Sequence, residues 1–137
     1  MHAVIDGDNL DLAYPSPWRE GLAEANLRAM WRNYRALGYR RLIYTNTVSV
    51  ISSKALVAAM EGSVDVTGIL LIAADQTVRQ RLSVREAGSA LETHLQRSRQ
   101  RAAELAKSCP DWVHRVATDR RSVTEIADQV LDLIGWT

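Results

Sequence analysis

The sequence predicts an α/β fold: three layers, α/β/α, around a mostly parallel sheet. Three observations carry that prediction. Short apolar runs at residues 3–5, 41–48, 64–74 and 113–117 alternate with stretches whose apolar residues recur at helical spacing. Strands that alternate with helices are joined by crossovers, and crossovers set the strands parallel. The 137 residues, 47% hydrophobic and 24% charged, are enough for one domain with a real core and too apolar for a disordered chain.

The elements follow in order. Ala3-Val4-Ile5 is an opening strand that stops at the polar turn Asp6-Gly7-Asp8-Asn9. Pro15-Ser16-Pro17 blocks regular structure. A helix over 22–37 carries the stripe Leu27, Met30, Trp31, Tyr34 and Leu37, and Gly38 supplies its left-handed cap. Residues 41–48 form a second strand. A short helix over 53–60 ends at Gly62. Residues 64–74 (VDVTGILLIAA) are the most apolar stretch and predict a buried strand, after which Asp75 caps a helix to about Glu86. Gly88 breaks it. A longer helix over 90–107 has Leu91, Leu95, Ser98, Ala102 and Leu105 inward, with His94, Arg97 and Arg101 on another face. Pro110 ends that unit, and 113–117 is the last strand. Ser122-Val123-Thr124-Glu125 is a capping box that opens a final helix with Val123, Ile126, Ala127, Val130 and Ile134 inward and Gly135 closing it.

Composition excludes several classes. The net charge of +1 gives no global pull toward nucleic acid or an anionic membrane. A single cysteine, Cys109, excludes an internal disulfide and suits a reducing cytosol, so a cytoplasmic location is expected. No apolar run approaches the ~20 residues of a membrane span, and Met1-His2-Ala3 does not open a signal peptide. His2, His94 and His114 have no carboxylate or thiol at metal spacing, so no zinc site is expected. Only two of the 17 basic residues are lysines, Lys54 and Lys107. Neither follows a glycine as the phosphate loop G-x-x-x-x-G-K-[ST] requires.

Ligands of open parallel sheets bind at the carboxyl ends of the strands, and four places meet that rule. At the first, Asp6 and Asp8 can hold a metal-bound water or take a proton from a substrate hydroxyl, or they can simply make a capped polar turn. At the second, Arg81 and Arg85 share a helix face, with Arg97 and Arg101 on the next helix. Guanidinium groups there suit phosphate oxygens or make a solvated face paired with Glu86, Glu92 and Glu104. The third is Thr45-Asn46-Thr47 and the fourth is Thr118-Asp119-Arg120-Arg121-Ser122, each a ligand contact or an ordinary strand exit.

The run Ala3 to Leu10 (AVIDGDNL) resembles the second-strand motif of small P-loop kinases, the adenylylsulfate, gluconate and shikimate kinase group. The likeness continues through Asn26-Leu27, Trp31-Arg32-Asn33-Tyr34-Arg35, Gly38 and Arg41-Leu42-Ile43. It runs on through Arg81-Leu82, Arg85-Glu86-Ala87-Gly88-Ser89, Leu91, His94 and Leu95, to Thr118-Asp119, Ser122 and Glu125-Ile126-Ala127. It covers nearly the whole chain and rests on the order and spacing of motifs that are individually weak. It implies a single kinase-like domain over 1–137 with a lid at about 79–107, and ATP-dependent phosphoryl transfer to a small molecule with magnesium as cofactor. Asp6 and Asp8 then orient the acceptor or act as base, with Asn9 and Asn46 as substrate contacts. Arg81 and Arg85 close on the ATP phosphates, and Thr118, Asp119 and Arg121 lie near the adenine.

The departure from that family is its opening strand, phosphate loop and first helix, whose backbone amides, lysine and hydroxyl hold nucleotide and magnesium. Without them ATP binding is expected to be weak or absent. In the family the missing strand is central, so its loss leaves two strand edges bare. They are expected to pair directly, to recruit a second copy, or to be completed by a longer gene product in which Met1 is internal. The last is the favoured expectation. A different class competes. Val4-Ile5-Asp6-Gly7-Asp8-Asn9-Leu10 also resembles the first strand of NYN/PIN-like ribonucleases, whose acidic residues hold magnesium and whose partner is RNA. That resemblance expects further acids at later strand ends, and the matching place is Ala73-Ala74-Asp75-Gln76-Thr77, with one acid. A third reading is a non-catalytic, partner-binding remnant.

Overall fold

A computed structural model of the chain describes residues 1–17, 19–85 and 88–136, without the side chains of Arg85 and Ser89. It is α/β, with five α-helices and two small parallel sheets among the described residues. Two compact units divide it, residues 1–66 and 67–137.

The first unit runs β1 (His2–Asp6), a single 3-10 turn (Gly7–Asn9), α1 (Leu22–Ala36), β2 (Arg41–Thr45) and α2 (Ser53–Met60). The two strands pair in parallel, with Asp6 opposite Thr45. In β1, alternate residues are buried, so Ala3 and Ile5 face the core and Val4 is exposed. Ile5, Leu10, Leu27 and Ala59 form that core, with Met30, Tyr34, Leu42 and Tyr44 packed on it. Burying a side chain such as Leu27 or Ile5 contributes about 1.5–3 kcal/mol. The helix stripe read from sequence holds at Leu27, Met30, Trp31 and Tyr34. It fails at Leu37, 72% exposed, because the helix has ended and Gly38, with φ of 90°, turns the chain away. The second strand ends at Thr45, earlier than the apolar run suggested. The Asn46 side chain accepts from the Val48 amide at 2.9 Å and so turns the chain out of the ladder.

The second unit runs β3 (Ile69–Ile72), α3 (Asp75–Arg85), α4 (Ser89–Ser108), β4 (His114–Ala117) and α5 (Val123–Ile134). Here too the strands are parallel, with Ile72 opposite Ala117. Leu95, Leu105, Cys109, Val113 and Val116 are buried. β3 is shorter and less buried than its composition predicts, and Leu71 is 56% exposed. Apolar content marks a strand, but burial needs layers on both faces, and β3 has one strand partner among the described residues. The capping box at Ser122 and Glu125 forms as read, and Gly135, with φ of 63°, closes α5. Val123 and Ala127, assigned inward, are exposed, while Ile126, Val130 and Ile134 are half-buried and no residue of α5 is fully buried. No helix among the described residues is long and apolar enough to cross a membrane.

Candidate functional site

In the first unit, the exits of β1 and β2 bring Asp6, Asp8 and Asn46 together. Asp6 leaves the ladder in extended conformation, and its Oδ1 accepts the Asp8 amide at 3.1 Å, which caps the 3-10 turn. That turn carries Asp8 over to β2, where Asn46 Nδ2 donates to Asp8 Oδ1 at 2.6 Å. Asn46 is itself fixed by its bond from Val48. Each carboxylate therefore keeps its Oδ2 outside any hydrogen bond to the described residues. Asn9 lies exposed in the same turn.

Tyr44 is the residue here that sequence reading missed. A Cβ at Gly7 would overlap its hydroxyl and ring, so the glycine is what lets the acidic turn close over β2. Burial pushes the Tyr44 phenol up, and Asp11, Glu24, Asp8 and Asp6 push it further. The turn is thus a concentration of negative charge beside a protonated hydroxyl. Its one sequence signal was a tyrosine at an inward position of the second strand. Asn26 was missed as well. It donates to the Leu10 carbonyl at 2.6 Å and ties α1 to the segment that follows the turn.

In the second unit, the exits of β3 and β4 bring together Arg81, Thr118 and Asp119. Thr118, 4% exposed, donates its hydroxyl to the Ile72 carbonyl at 3.1 Å and extends the ladder through its amide. Arg81 donates Nη1 to Thr118 Oγ1 and Nη2 to the Thr118 carbonyl, at 3.0 and 2.9 Å. The guanidinium assigned to ATP phosphates thus braces α3 against the end of β4. Asp119 Oδ1 accepts the Ala74 amide at 3.0 Å and the Thr77 hydroxyl at 2.5 Å. The Thr77 bond first, then the Ala74 amide, hold its carboxyl below the usual carboxylate range. Asp75, expected to cap α3, does not, and Asp119 ties the residue before the helix and the Thr77 side chain to the exit of β4. Asp75 is the first helical residue, and its Oδ2 pairs with Arg99 Nε at 3.0 Å. Arg121 donates to the carbonyls of Ala117 and Glu125 and to Gln129, so it fastens β4 to α5. The Arg85 side chain lies outside the described residues, as does Glu86.

Both units thus place carboxylates at the carboxyl ends of a parallel strand pair: Asp6 and Asp8 in one, Asp75 and Asp119 in the other. Among the described residues no group of three or more His, Cys, Asp or Glu is arranged to hold a metal ion. Magnesium does not need such a group. It keeps several waters and takes one or two carboxylates, together with substrate phosphates. Asp6 and Asp8, each with an oxygen outside the hydrogen bonds, fit that requirement. No family model, no curated protein and no solved structure matches the chain.

Proposed function

We propose that the chain is a magnesium-dependent ribonuclease, similar in kind to the NYN/PIN-like enzymes, with Asp6 and Asp8 as its metal-holding carboxylates. The observation that carries this reading is the pair of strand-exit carboxylates with an open oxygen each, braced by Asn46. Magnesium bound there would neutralise phosphodiester charge and lower the pKa of a bound water. The protein's own part is to position the two carboxylates, through the Asp8 amide on Asp6 and the Asn46 amide on Asp8. Asp75 and Asp119 follow β3 and β4, where that resemblance expects further acids. Arg81, which the kinase reading needs for phosphate, is occupied by Thr118.

The test is cleavage of a short oligoribonucleotide in magnesium and in EDTA, by wild type and by Asp6→Asn. Asparagine keeps an oxygen for the Asp8 amide and so keeps the turn. It is expected to lower cleavage by at least about a hundredfold, since it removes a charged ligand. Undiminished cleavage by the variant, or cleavage in EDTA, would overturn the assignment. The kinase reading keeps one support: β1 with β2, and β3 with β4, are the neighbours its strand order requires. Calorimetric titration with ATP, run beside the nuclease assay, decides for it if ATP binds and RNA is not cut.

A further inference from the structure

An open groove of about 380 Å³ runs between α3 and α4 in the second unit, lined by Val78, Arg81 and Leu82 on one helix and by His94, Arg97 and Ser98 on the other. A smaller hollow shares Val78 and Ser98 with it and reaches Ala73 and Asp75, so the depression continues to the carboxyl end of β3. The floor is apolar: Val78 and Leu82 are half-buried and line it.

The rim is charged in an uneven way. Arg79 pairs with Glu92, Arg99 with Asp75 and Arg101 with Glu104. Arg81 is held by Thr118 and lies close enough to the Asp119 carboxylate to help lower its pKa, so it is already engaged. Arg97 makes no hydrogen bond or ion pair with any described residue. The groove therefore offers an apolar floor, Val78 and Leu82, beside the Arg97 guanidinium, which pairs with no carboxylate among the described residues. A ligand that matches has a planar apolar part and an anion a few bonds away, repeated along a flexible chain. Single-stranded RNA has that chemistry, a base meeting the floor and a phosphate Arg97.

We infer that this groove binds one nucleotide step of a single-stranded RNA, with a phosphate on Arg97 and a base on the floor of Val78 and Leu82. The inference rests on the ribonuclease reading for its choice of RNA, and it assigns substrate binding to a face remote in sequence from Asp6 and Asp8.

The test is fluorescence anisotropy of a labelled oligouridylate in EDTA, where cleavage is off, over a series of salt concentrations. The proteins are wild type, Arg97→Gln and Ser98→Glu, each checked by circular dichroism. Arg97 is exposed, so its replacement leaves the core alone. Arg97→Gln is expected to weaken binding roughly threefold to tenfold and to reduce the salt slope by about 0.7, the value for one single-strand phosphate contact. Ser98→Glu, which sets a negative charge in the groove, is expected to weaken it at least as much. Unchanged affinity and slope in both variants, or no binding by wild type, overturns the groove. Cleavage is read separately with Asp6→Asn. RNA cut by a protein whose affinity ignores Arg97 refutes the groove and spares the nuclease. Arg97-dependent binding without cleavage refutes the nuclease and spares the groove.

Discussion

Arg81 shows how a single residue changes meaning once its partners are known. Its two bonds to Thr118 join α3 to the buried end of β4. Arg81→Ala would strip donors from a buried threonine, at an expected cost of about 1–3 kcal/mol in urea unfolding. Arg81→Lys should recover only part of it, since an ammonium does not reproduce the two-pronged geometry. Full recovery by lysine would show that charge alone matters. Asp119 carries a pH dependence whose sign is fixed. Its folded pKa lies below its unfolded one, so its contribution is complete above the unfolded value and is lost as pH falls through the folded value. Wild type should therefore lose stability more steeply than Asp119→Asn from about pH 4 downward. Parallel acid limbs in the two proteins' urea midpoints would remove Asp119 from the account. Asp6, Asp8 and Asn46 were legible as site candidates because a polar residue at a strand end is a local pattern. The partners of Arg81 and Asp119 were not, because the contacts span 37 to 45 residues and no periodicity encodes them.

At the scale of elements, local chemistry was the reliable guide. The Ser122 hydroxyl accepts the Glu125 amide at 3.2 Å, and Glu125 Oε2 accepts the Ser122 amide at 2.7 Å, as the four-residue signature requires. The Ser122 hydroxyl, then its amide, hold the Glu125 carboxyl below its usual range. Ser122→Ala should cost about 0.5–2 kcal/mol in thermal or denaturant unfolding, and a cost near zero would mean that α5 does not depend on its cap. Helix α2 was read at its observed bounds, Ser53–Met60, and α1 and α4 within a residue at each end. The third strand was read too long and too buried. Its composition is that of a central strand, and composition does not tell a residue which neighbours will flank it.

At the scale of the whole molecule, parallel strands and crossovers were legible from alternation, and the pairing of β1 with β2 and of β3 with β4 followed chain order. The division into two compact units was not, because residues 61–68 lack the proline, serine or charge bias of an obvious linker. Among them no helix or strand forms, and Glu61, Gly62, Ser63, Asp65, Val66 and Thr67 are exposed. Limited digestion with a protease specific for acidic residues should cut first after Glu61 or Asp65 and release two pieces of nearly equal size. First cleavage inside α1 or α4 would contradict that ranking of local stability. The near-neutral charge, +1 overall, means that any affinity for a polyanion comes from local placement and not from the field of the whole protein.

The bond from the Ala74 amide to Asp119 has one more consequence. A backbone proton that donates to a carboxylate changes its chemical shift when that carboxylate is protonated or takes up a cation. Ala74 is therefore an internal indicator for Asp119, readable by nuclear magnetic resonance without any added label. One titration of its resonance against acid would report the ionisation of the strand-exit carboxylate on that single atom.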